Sequence, residues 1–175
     1  MDPSDASATL RPRPLLEVLV RHDVRFIILG GVAERLLGSP RITDDFDICP
    51  ATDATNLERL ADVLNDVHAR WMPPGLDEGF DPVEPWNAAT FKAHTSLSLI
   101  TPYGKFDIWI RPEGTRGFDE LIENAVEVEV ADIRTKVVHI EDSIRIKKRI
   151  ADPKYESHIG LLEQLQRRRR EQGLD

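Results

Sequence analysis

The sequence predicts an α/β fold of the α+β kind, in which strand and helix patterns follow one another along 175 residues. Short apolar runs typical of buried strands alternate with segments whose apolar residues recur at helical spacing. The chain is 41% hydrophobic and 31% charged, which is ordinary for a globular protein and argues against disorder. A chain not far above ~150 residues favours one domain, with a core large enough to need no disulfide.

The predicted elements are bounded mainly by glycine, proline and N-cap residues. Helices are expected at residues 14–22, 32–37, 56–68 and 118–125, and again from about residue 144 to about residue 170 with an interruption at Pro153. Strands are expected at residues 24–29, 42–49, 95–100, 106–110, 126–130 and 136–140. We interpret residues 1–13 as a flexible arm and residues 71–90 as an irregular loop or lid. The chain then divides into a core of residues 1–140 and a C-terminal helical segment of residues 141–175.

Several kinds of site and location are disfavoured. Cys49 is the only cysteine, so neither an intrachain disulfide nor a cysteine-based zinc site is possible, and the five histidines lack metal-site spacing. The longest apolar run, Phe26–Leu29, is far shorter than the ~20 residues of a membrane helix. The first fourteen residues lack the apolar stretch of a secretory signal, so we expect a cytoplasmic protein with no membrane partner.

The charge is unevenly distributed. The net charge is −8, which makes the protein a poor general binder of nucleic acid because phosphate affinity comes from Lys and Arg. Residues 141–175 nevertheless carry a net charge of +2, so a local basic edge is possible there. The run Arg167 to Arg170 is expected to be a solvated tail, and the three tryptophans are expected to be core or loop anchors rather than platforms for bases.

The first candidate site is the Gly30-Gly31 pair, which lies between a buried strand and a helix. Glycine lets the backbone approach a ligand closely, and the free N–H groups at the start of a helix favour an anion such as a phosphate. The alternative is a plain strand-to-helix turn with no ligand.

The second candidate site is Asp45-Phe46-Asp47 in the next strand. Alternation places both carboxylates on one face, with Cβ atoms ~7 Å apart. Such close negative charges repel one another unless a cation lies between them, and oxygen ligands of this kind suit Mg²⁺ or Mn²⁺. The alternative is a solvated strand face, although the apolar Phe46 and Ile48 favour a core strand.

The third candidate is Asp107, a single carboxylate within the otherwise apolar strand at residues 106–110. An ionised carboxylate buried without a partner costs several kcal/mol, so Asp107 needs a metal, a cation or a proton. A salt bridge to a neighbouring Arg or Lys is the alternative. If this strand lies beside the one that holds Asp45 and Asp47, three carboxylates converge and a site for two metal ions becomes possible.

These motifs together resemble the DNA-polymerase-β-like nucleotidyltransferase superfamily over residues 24–160. The spelling R-x-T-x-D-x-D of residues 41–47, with the later residues 144–147, is most similar to the small bacterial branch that includes AbiEii-type toxins of toxin–antitoxin systems. The resemblance implies a mixed β-sheet flanked by helices, followed by a helical C-terminal part. It also implies transfer of a nucleoside monophosphate from a nucleoside triphosphate to a hydroxyl, with release of pyrophosphate.

The resemblance also assigns roles to residues. Gly30 and Gly31 would hold the β- and γ-phosphates, and Lys147 would lie near the triphosphate. The three aspartates, Asp45, Asp47 and Asp107, would be the catalytic and metal-binding residues for Mg²⁺ or Mn²⁺.

Two further residues and one departure need separate mention. Arg41 is a candidate for contact with the nucleotide, with pairing to Asp44 or Glu34 as the alternative. Thr43 is a candidate for orienting an aspartate, with a mere strand position as the alternative. Residues 151–155 lack the Arg and Asp that related sequences often carry after the lysine helix, which leaves that part of the site unassigned.

Three readings of function follow from the sequence, and the third is an α/β domain whose acidic strand faces are solvated. The first is an enzyme whose acceptor is RNA such as a tRNA end, a protein or a small molecule, with a cognate antitoxin as a further partner. The second is a non-catalytic module of the same fold, for example an antitoxin or regulatory partner. Loss of an aspartate would mark the second reading, and none is lost.

Overall fold

A seven-stranded mixed sheet forms the centre of the computed structural model, which describes residues 9–73, 75–76 and 78–174. The strands are β1 (Phe26–Leu29), β2 (Asp45–Pro50), β3 (Arg70–Trp71), β4 (Ser96–Thr101), β5 (Gly104–Trp109), β6 (Val126–Val130) and β7 (Ile133–Val137). The helices are α1 (Pro12–Arg21), α2 (Gly30–Leu36), α3 (Ala54–Asp66), α4 (Ala88–Lys92), α5 (Phe118–Leu121), α6 (Ile140–Ile150) and α7 (Glu156–Glu171), with a 3-10 turn at Pro153–Tyr155. The strand order is β3-β4-β5-β2-β1-β7-β6.

The sheet is mixed because its central strands pair in both senses. Strand β2 runs antiparallel to β1 and parallel to β5, and β1 runs parallel to β7. The predicted fold class, a mixed sheet with flanking helices and a helical C-terminal part, is therefore confirmed.

The two faces of β2 and β5 differ in chemistry because side chains alternate along each strand. Phe46 and Phe106 are register partners on one face, with ring centroids 5.9 Å apart in the hydrophobic core. The acidic side chains of the same two strands therefore lie on the opposite face. This division separates the core from the surface that holds the candidate site.

Most differences from the predicted boundaries have a local cause. Strand β2 begins at Asp45 rather than at residue 42, because its pairing with β5 starts at Asp45, and Ile42 is 82% exposed. Helix α6 begins at Ile140 rather than near residue 144. Its N-cap is His139, whose Nδ1 accepts from the backbone N–H of Glu141.

Residues 12 and 13 of the predicted flexible arm belong to a helix. Helix α1 starts at Pro12, because proline fits the first turn of a helix, where its missing N–H has no partner to lose. The backbone N–H of Arg11 donates to the carbonyl of Tyr103 at 2.8 Å, which attaches this part of the arm to the sheet. Residues 1–8 lie outside the described residues.

Residues 71–90 contain more order than an irregular loop. Trp71 belongs to β3 and pairs with Phe80 in an isolated bridge, and α4 begins at Ala88. The side chain of Trp86 is buried and donates to the carbonyl of Ala69 at 2.9 Å, which confirms its expected role as an anchor. Pro74 and Asp77 lie outside the described residues.

The C-terminal helices pack back on the rest of the chain. Helix α6 contacts α7, and Leu162 and Leu165 of α7 are buried. In the part of the chain that the structure describes, no helix has the length and apolar character needed to cross a membrane.

Candidate active site

The three aspartates come together on neighbouring strands. Asp47 on β2 is the direct register partner of Asp107 on β5, and Asp45 lies two residues before Asp47 on the same face. One carboxylate oxygen from each residue can be chosen so that all three lie within 4.8 Å of one another. The convergence that the sequence predicted if these strands were neighbours is therefore present.

This cluster carries negative charge where water is scarce. Asp47 is 8% exposed, and burial, together with the charges of Asp45 and Asp107, raises its pKa to about 7. Burial also raises the pKa of Asp107 to about 6, against a hydrogen bond from Ser98 that lowers it. Within the described residues, no Lys or Arg forms a salt bridge with any of the three aspartates.

One atom of the cluster has an unmet bonding requirement. Oδ1 of Asp107 is buried without a hydrogen-bond partner among the described residues. A buried carboxylate oxygen without a partner is costly, and a divalent cation satisfies such an atom directly. The donor set, three carboxylates and no nitrogen or sulfur ligand, fits a hard cation such as Mg²⁺ or Mn²⁺.

The glycine pair packs directly against this cluster. Gly30 has φ +61°, and a Cβ placed on it would lie 2.1 Å from Oδ2 of Asp47. A Cβ on Gly31 would lie 2.4 Å from the Cβ of Thr43. The absence of side chains at both positions is therefore required by the neighbouring site residues, whether or not a phosphate also lies there.

Thr43 and Arg41 lie beside the aspartate cluster, and each side chain has a different partner. The Thr43 hydroxyl donates to Oδ1 of Asp45, which fits the expected orienting role better than a bare strand position. Nε of Arg41 lies 3.3 Å from Oε2 of Glu34, so the pairing alternative for Arg41 also holds. Asp44 pairs with Lys105 instead, at 3.8 Å.

Lys147 comes from α6 and is almost fully buried. Its Nζ lies 2.9 Å from Oε1 of Glu34 and 4.7 Å from the centre of the Tyr155 ring. The positive charge of Lys147 also lowers the pKa of Asp47. The Lys147 ammonium on α6 therefore stabilises the ionised form of Asp47 on β2.

A cavity of about 460 Å³ joins all eight residues singled out from the sequence. It contains the three aspartates, the two glycines, Arg41, Thr43 and Lys147. A larger cavity of about 910 Å³ is lined mainly by apolar side chains, including Leu16 and Phe46, and none of the three aspartates reaches it. The chemistry therefore belongs to the smaller cavity.

Other residues that line this cavity were not assigned to it from the sequence. Among them are Trp109, Lys154, Tyr155 and His158. Trp109 follows Asp107 by two residues, so strand alternation places both on one face, and that signal was available. Lys154 and Tyr155 lie in residues 151–155, the stretch to which the sequence assigned no role in the site.

His158 adds a weakly basic group to the same wall. Its Nδ1 is buried without a hydrogen-bond partner among the described residues. Burial and the positive charges of Arg41 and Lys147 lower the pKa of His158. The cavity thus has an acidic wall on β2 and β5 and a basic wall formed largely by α6, the 3-10 turn and the start of α7.

Several solved structures share this fold. The lincosamide antibiotic adenylyltransferase LnuA, solved with lincomycin bound, matches with a TM-score of 0.60 and 14% identity over 90% of this chain and 99% of its own. The antibiotic-resistance factor ANT(2'')-Ia matches with a TM-score of 0.55 and 17% identity over 88% of this chain and 80% of its own.

A third match and two searches complete the comparison. A Thermotoga maritima protein, provisionally assigned as a nucleotidyltransferase, matches with a TM-score of 0.51 and 16% identity over 93% of this chain and 99% of its own. No protein-family model matches the sequence, and a search of curated proteins finds no match. At these identities the likeness concerns the fold. The superfamily named above and its AbiEii-type branch stay predictions.

Proposed function

We propose that this protein is a metal-dependent nucleotidyltransferase that moves a nucleoside monophosphate from a nucleoside triphosphate to a hydroxyl group. The observation that carries the proposal is the cluster of three carboxylates beside Gly30 and Gly31, with Arg41 and Lys147 in the same cavity. A polyphosphate that carries Mg²⁺ or Mn²⁺ is complementary to this arrangement, because the metal meets the acidic wall and the phosphates meet the basic one.

Each residue has a proposed role in this reaction. Asp45, Asp47 and Asp107 would hold Mg²⁺ or Mn²⁺, which when bound neutralises triphosphate charge and acidifies the attacking hydroxyl. Thr43 orients Asp45 through its hydroxyl, and Gly30 and Gly31 give the phosphates room to approach the backbone. Arg41 and Lys147 attract the phosphate oxygens, Lys147 as a point charge.

The proposed step is an in-line displacement. The acceptor oxygen forms a bond to the α-phosphorus while the bond from that phosphorus to the bridging oxygen breaks, and pyrophosphate leaves with the electron pair. The hydroxyl proton would pass to Asp107, whose buried Oδ1 has no hydrogen-bond partner among the described residues. The remaining contribution of the chain is positioning of the reacting groups.

For the acceptor, we propose a small hydroxyl-bearing molecule. LnuA, which shares the fold, is an adenylyltransferase with lincomycin bound. The net charge of −8 disfavours a large RNA, and Arg170 of the basic tail is paired with Glu141 of the same chain. The AbiEii-type branch, a tRNA or protein acceptor and an antitoxin partner are the competing alternatives.

The division of the chain belongs to the same proposal. Residues 1–140 would supply the metal site, and residues 141–175 would supply Lys147 and the other basic groups that face it. The two segments together would form one active site.

A labelling experiment tests the proposal. The protein is incubated with each α-³²P-labelled nucleoside triphosphate, Mg²⁺ or Mn²⁺, and the small-molecule, RNA or protein fraction of a cell extract. With one or more of the nucleotides, we expect a labelled small-molecule product that is distinct from the nucleotide itself. We expect no such product with Asp107→Asn. Label in RNA or protein instead would overturn the proposed acceptor while leaving the reaction type intact.

The non-catalytic alternative is tested by nucleotide binding. Isothermal titration with ATP, CTP, GTP and UTP in the presence of Mg²⁺ should detect binding of at least one of them. No binding of any of the four would favour a module that keeps the fold without the activity.

A further inference from the structure

Helix α2 contains an almost fully buried acidic residue next to the candidate active site. Glu34 is 2% exposed, in a helix whose other buried residues are apolar or glycine. Its carboxylate has three partners: Oε1 lies 2.9 Å from Nζ of Lys147 and accepts from the Ser143 hydroxyl at 3.1 Å, and Oε2 lies 3.3 Å from Nε of Arg41. One carboxylate therefore joins α2, α6 and the segment before β2.

The two cations held by Glu34 are the ones assigned to phosphate binding above. The side chain of Arg41 is 23% exposed and that of Lys147 is 8% exposed, so neither moves freely in water. Nη2 of Arg41 lies 2.7 Å from the position that a Cβ on Gly31 would take, which puts the guanidinium against the glycine pair. The contacts of Glu34 thus set where both positive charges lie.

The charge balance is also suited to an anionic ligand. Glu34 offsets one of the two positive charges, so the group of three side chains keeps a net positive charge toward the cavity. A buried ammonium without an anionic partner tends to move away or lose its proton. The Ser143 hydroxyl fixes the carboxylate itself, so the positions of the cations do not depend on the ligand.

We propose that Glu34 is a positioning residue that holds Arg41 and Lys147 ready to receive the triphosphate of the nucleotide. This inference rests on the proposed function. Glu34 acts through the two cations and does not itself touch the phosphates, because its carboxylate is negative and enclosed by its partners.

Inorganic tripolyphosphate with Mg²⁺ is the direct probe, because it depends on neither the base nor the acceptor. We expect Glu34→Gln to weaken its binding about 10- to 100-fold in isothermal titration, the range for losing a charge-assisted contact. Binding of Mn²⁺ alone to the aspartates should change much less than tripolyphosphate binding, because Glu34 contacts none of the aspartates directly. Glu34→Asp, which keeps the charge but shortens the reach, should recover part of the loss.

A mutant cycle separates positioning from a merely structural role. If Glu34 acts through Arg41 and Lys147, Glu34→Gln added to a variant that already carries Arg41→Gln and Lys147→Gln should weaken tripolyphosphate binding by no more than about 2-fold further. Fully additive losses would contradict that route. Tripolyphosphate binding by folded Glu34→Gln at the affinity of the unaltered protein would overturn the proposal.

Two outcomes remain informative if Glu34→Gln does not fold. Arg41→Gln and Lys147→Gln leave Glu34 in place, and if neither weakens tripolyphosphate binding, Glu34 has no phosphate-binding cation to position. If the unaltered protein binds neither tripolyphosphate nor any Mg²⁺-nucleotide, the proposed function itself fails. Where Glu34→Gln does fold, tripolyphosphate binding equal to that of the unaltered protein overturns only the inference about Glu34.

Discussion

The indole N–H of Trp109 donates a hydrogen bond to Oδ1 of Asp47 at 2.9 Å. Trp109 is the last residue of β5 and Asp47 lies in the neighbouring β2, so the bond crosses the strand pair that carries the aspartates. It stabilises the ionised form of Asp47 and lowers a pKa that burial otherwise raises. The carboxylate at the centre of the cluster is thereby kept closer to the charged state that a metal requires.

Replacing this donor should weaken metal binding. We expect Trp109→Phe to reduce the affinity for Mn²⁺ at pH 7 by about 10-fold, because a hydrogen bond to a charged group is lost while the ring volume is largely kept. Isothermal titration measures the change. Trp86→Phe is the matched control, since it removes an indole donor far from the aspartates and should lower stability without altering Mn²⁺ affinity.

Neutralising Asp107 should separate stability from activity. Asp107→Asn is expected to stabilise the metal-free protein at pH 8 by on the order of 1 kcal/mol, because a carboxylate with a raised pKa no longer has to ionise. Nucleotide transfer should fall by at least about 100-fold, since a metal ligand and proton acceptor are lost. Thermal unfolding and the labelling assay measure the two effects, with the exposed Asp62→Asn as a control expected to change neither. Retained transfer would remove Asp107 from the reaction.

A methyl group at Gly30 should disrupt the cluster itself. Gly30→Ala places a side chain at φ +61° and 2.1 Å from Oδ2 of Asp47. We expect a loss of stability of about 2 kcal/mol or more, together with weaker Mn²⁺ binding, because the backbone is strained and Asp47 must move. Denaturant unfolding and Mn²⁺ titration test this expectation.

Gly160→Ala provides the control for that experiment. Gly160 lies within α7, and a Cβ there would meet nothing within 4 Å. This substitution should stabilise the protein by about 0.5–1 kcal/mol, because alanine favours the helix over glycine. Equal effects of the two substitutions would contradict the close packing of Gly30 on Asp47.

The aspartates should make stability depend on pH in a particular direction. The pKa of Asp47 rises from 3.8 to about 7 on folding, so the folded protein binds this proton more tightly than the unfolded chain. The contribution is fully present below about pH 4 and is lost as pH rises through about 7. Mg²⁺ or Mn²⁺ should therefore raise the melting temperature strongly at pH 8 and weakly at pH 5.

The comparison with Asp47→Asn isolates this contribution. In that variant, the melting temperature at pH 8 should rise relative to the melting temperature at pH 5. The increase in melting temperature that the metal produces at pH 8 should shrink. A metal effect independent of pH would contradict protons and metal competing for the same carboxylates.

The candidate site was accessible to sequence reasoning where the signal was local. Asp45 and Asp47 stand out because strand alternation puts two charges on one face, and Asp107 because it interrupts an apolar strand. These residues meet because β2 pairs in parallel with β5, and this pairing joins distant parts of the chain. The sequence alone predicts that they converge only if the two strands are neighbours.

The remaining site residues depend on contacts between segments far apart in the sequence. Glu34 was considered only as a partner for Arg41, because nothing near it in the sequence reveals its contact with Lys147 on α6. The predicted starts of β2 and α6 were wrong for a similar reason. Strand β2 starts where β5 begins to pair with it, and α6 starts where His139 caps it. Local propensity determines neither position.

The buried bridge from Glu34 to Lys147 and Ser143 ties helix α6 to helix α2. A chain cut after residue 140 would leave the Glu34 carboxylate in the interior with Arg41 as its remaining charged neighbour. Such a fragment would lose both folding stability and the ability to bind the triphosphate of the nucleotide. Natural shuffling of the C-terminal helices between related proteins would therefore have to exchange the partners of Glu34 together with them.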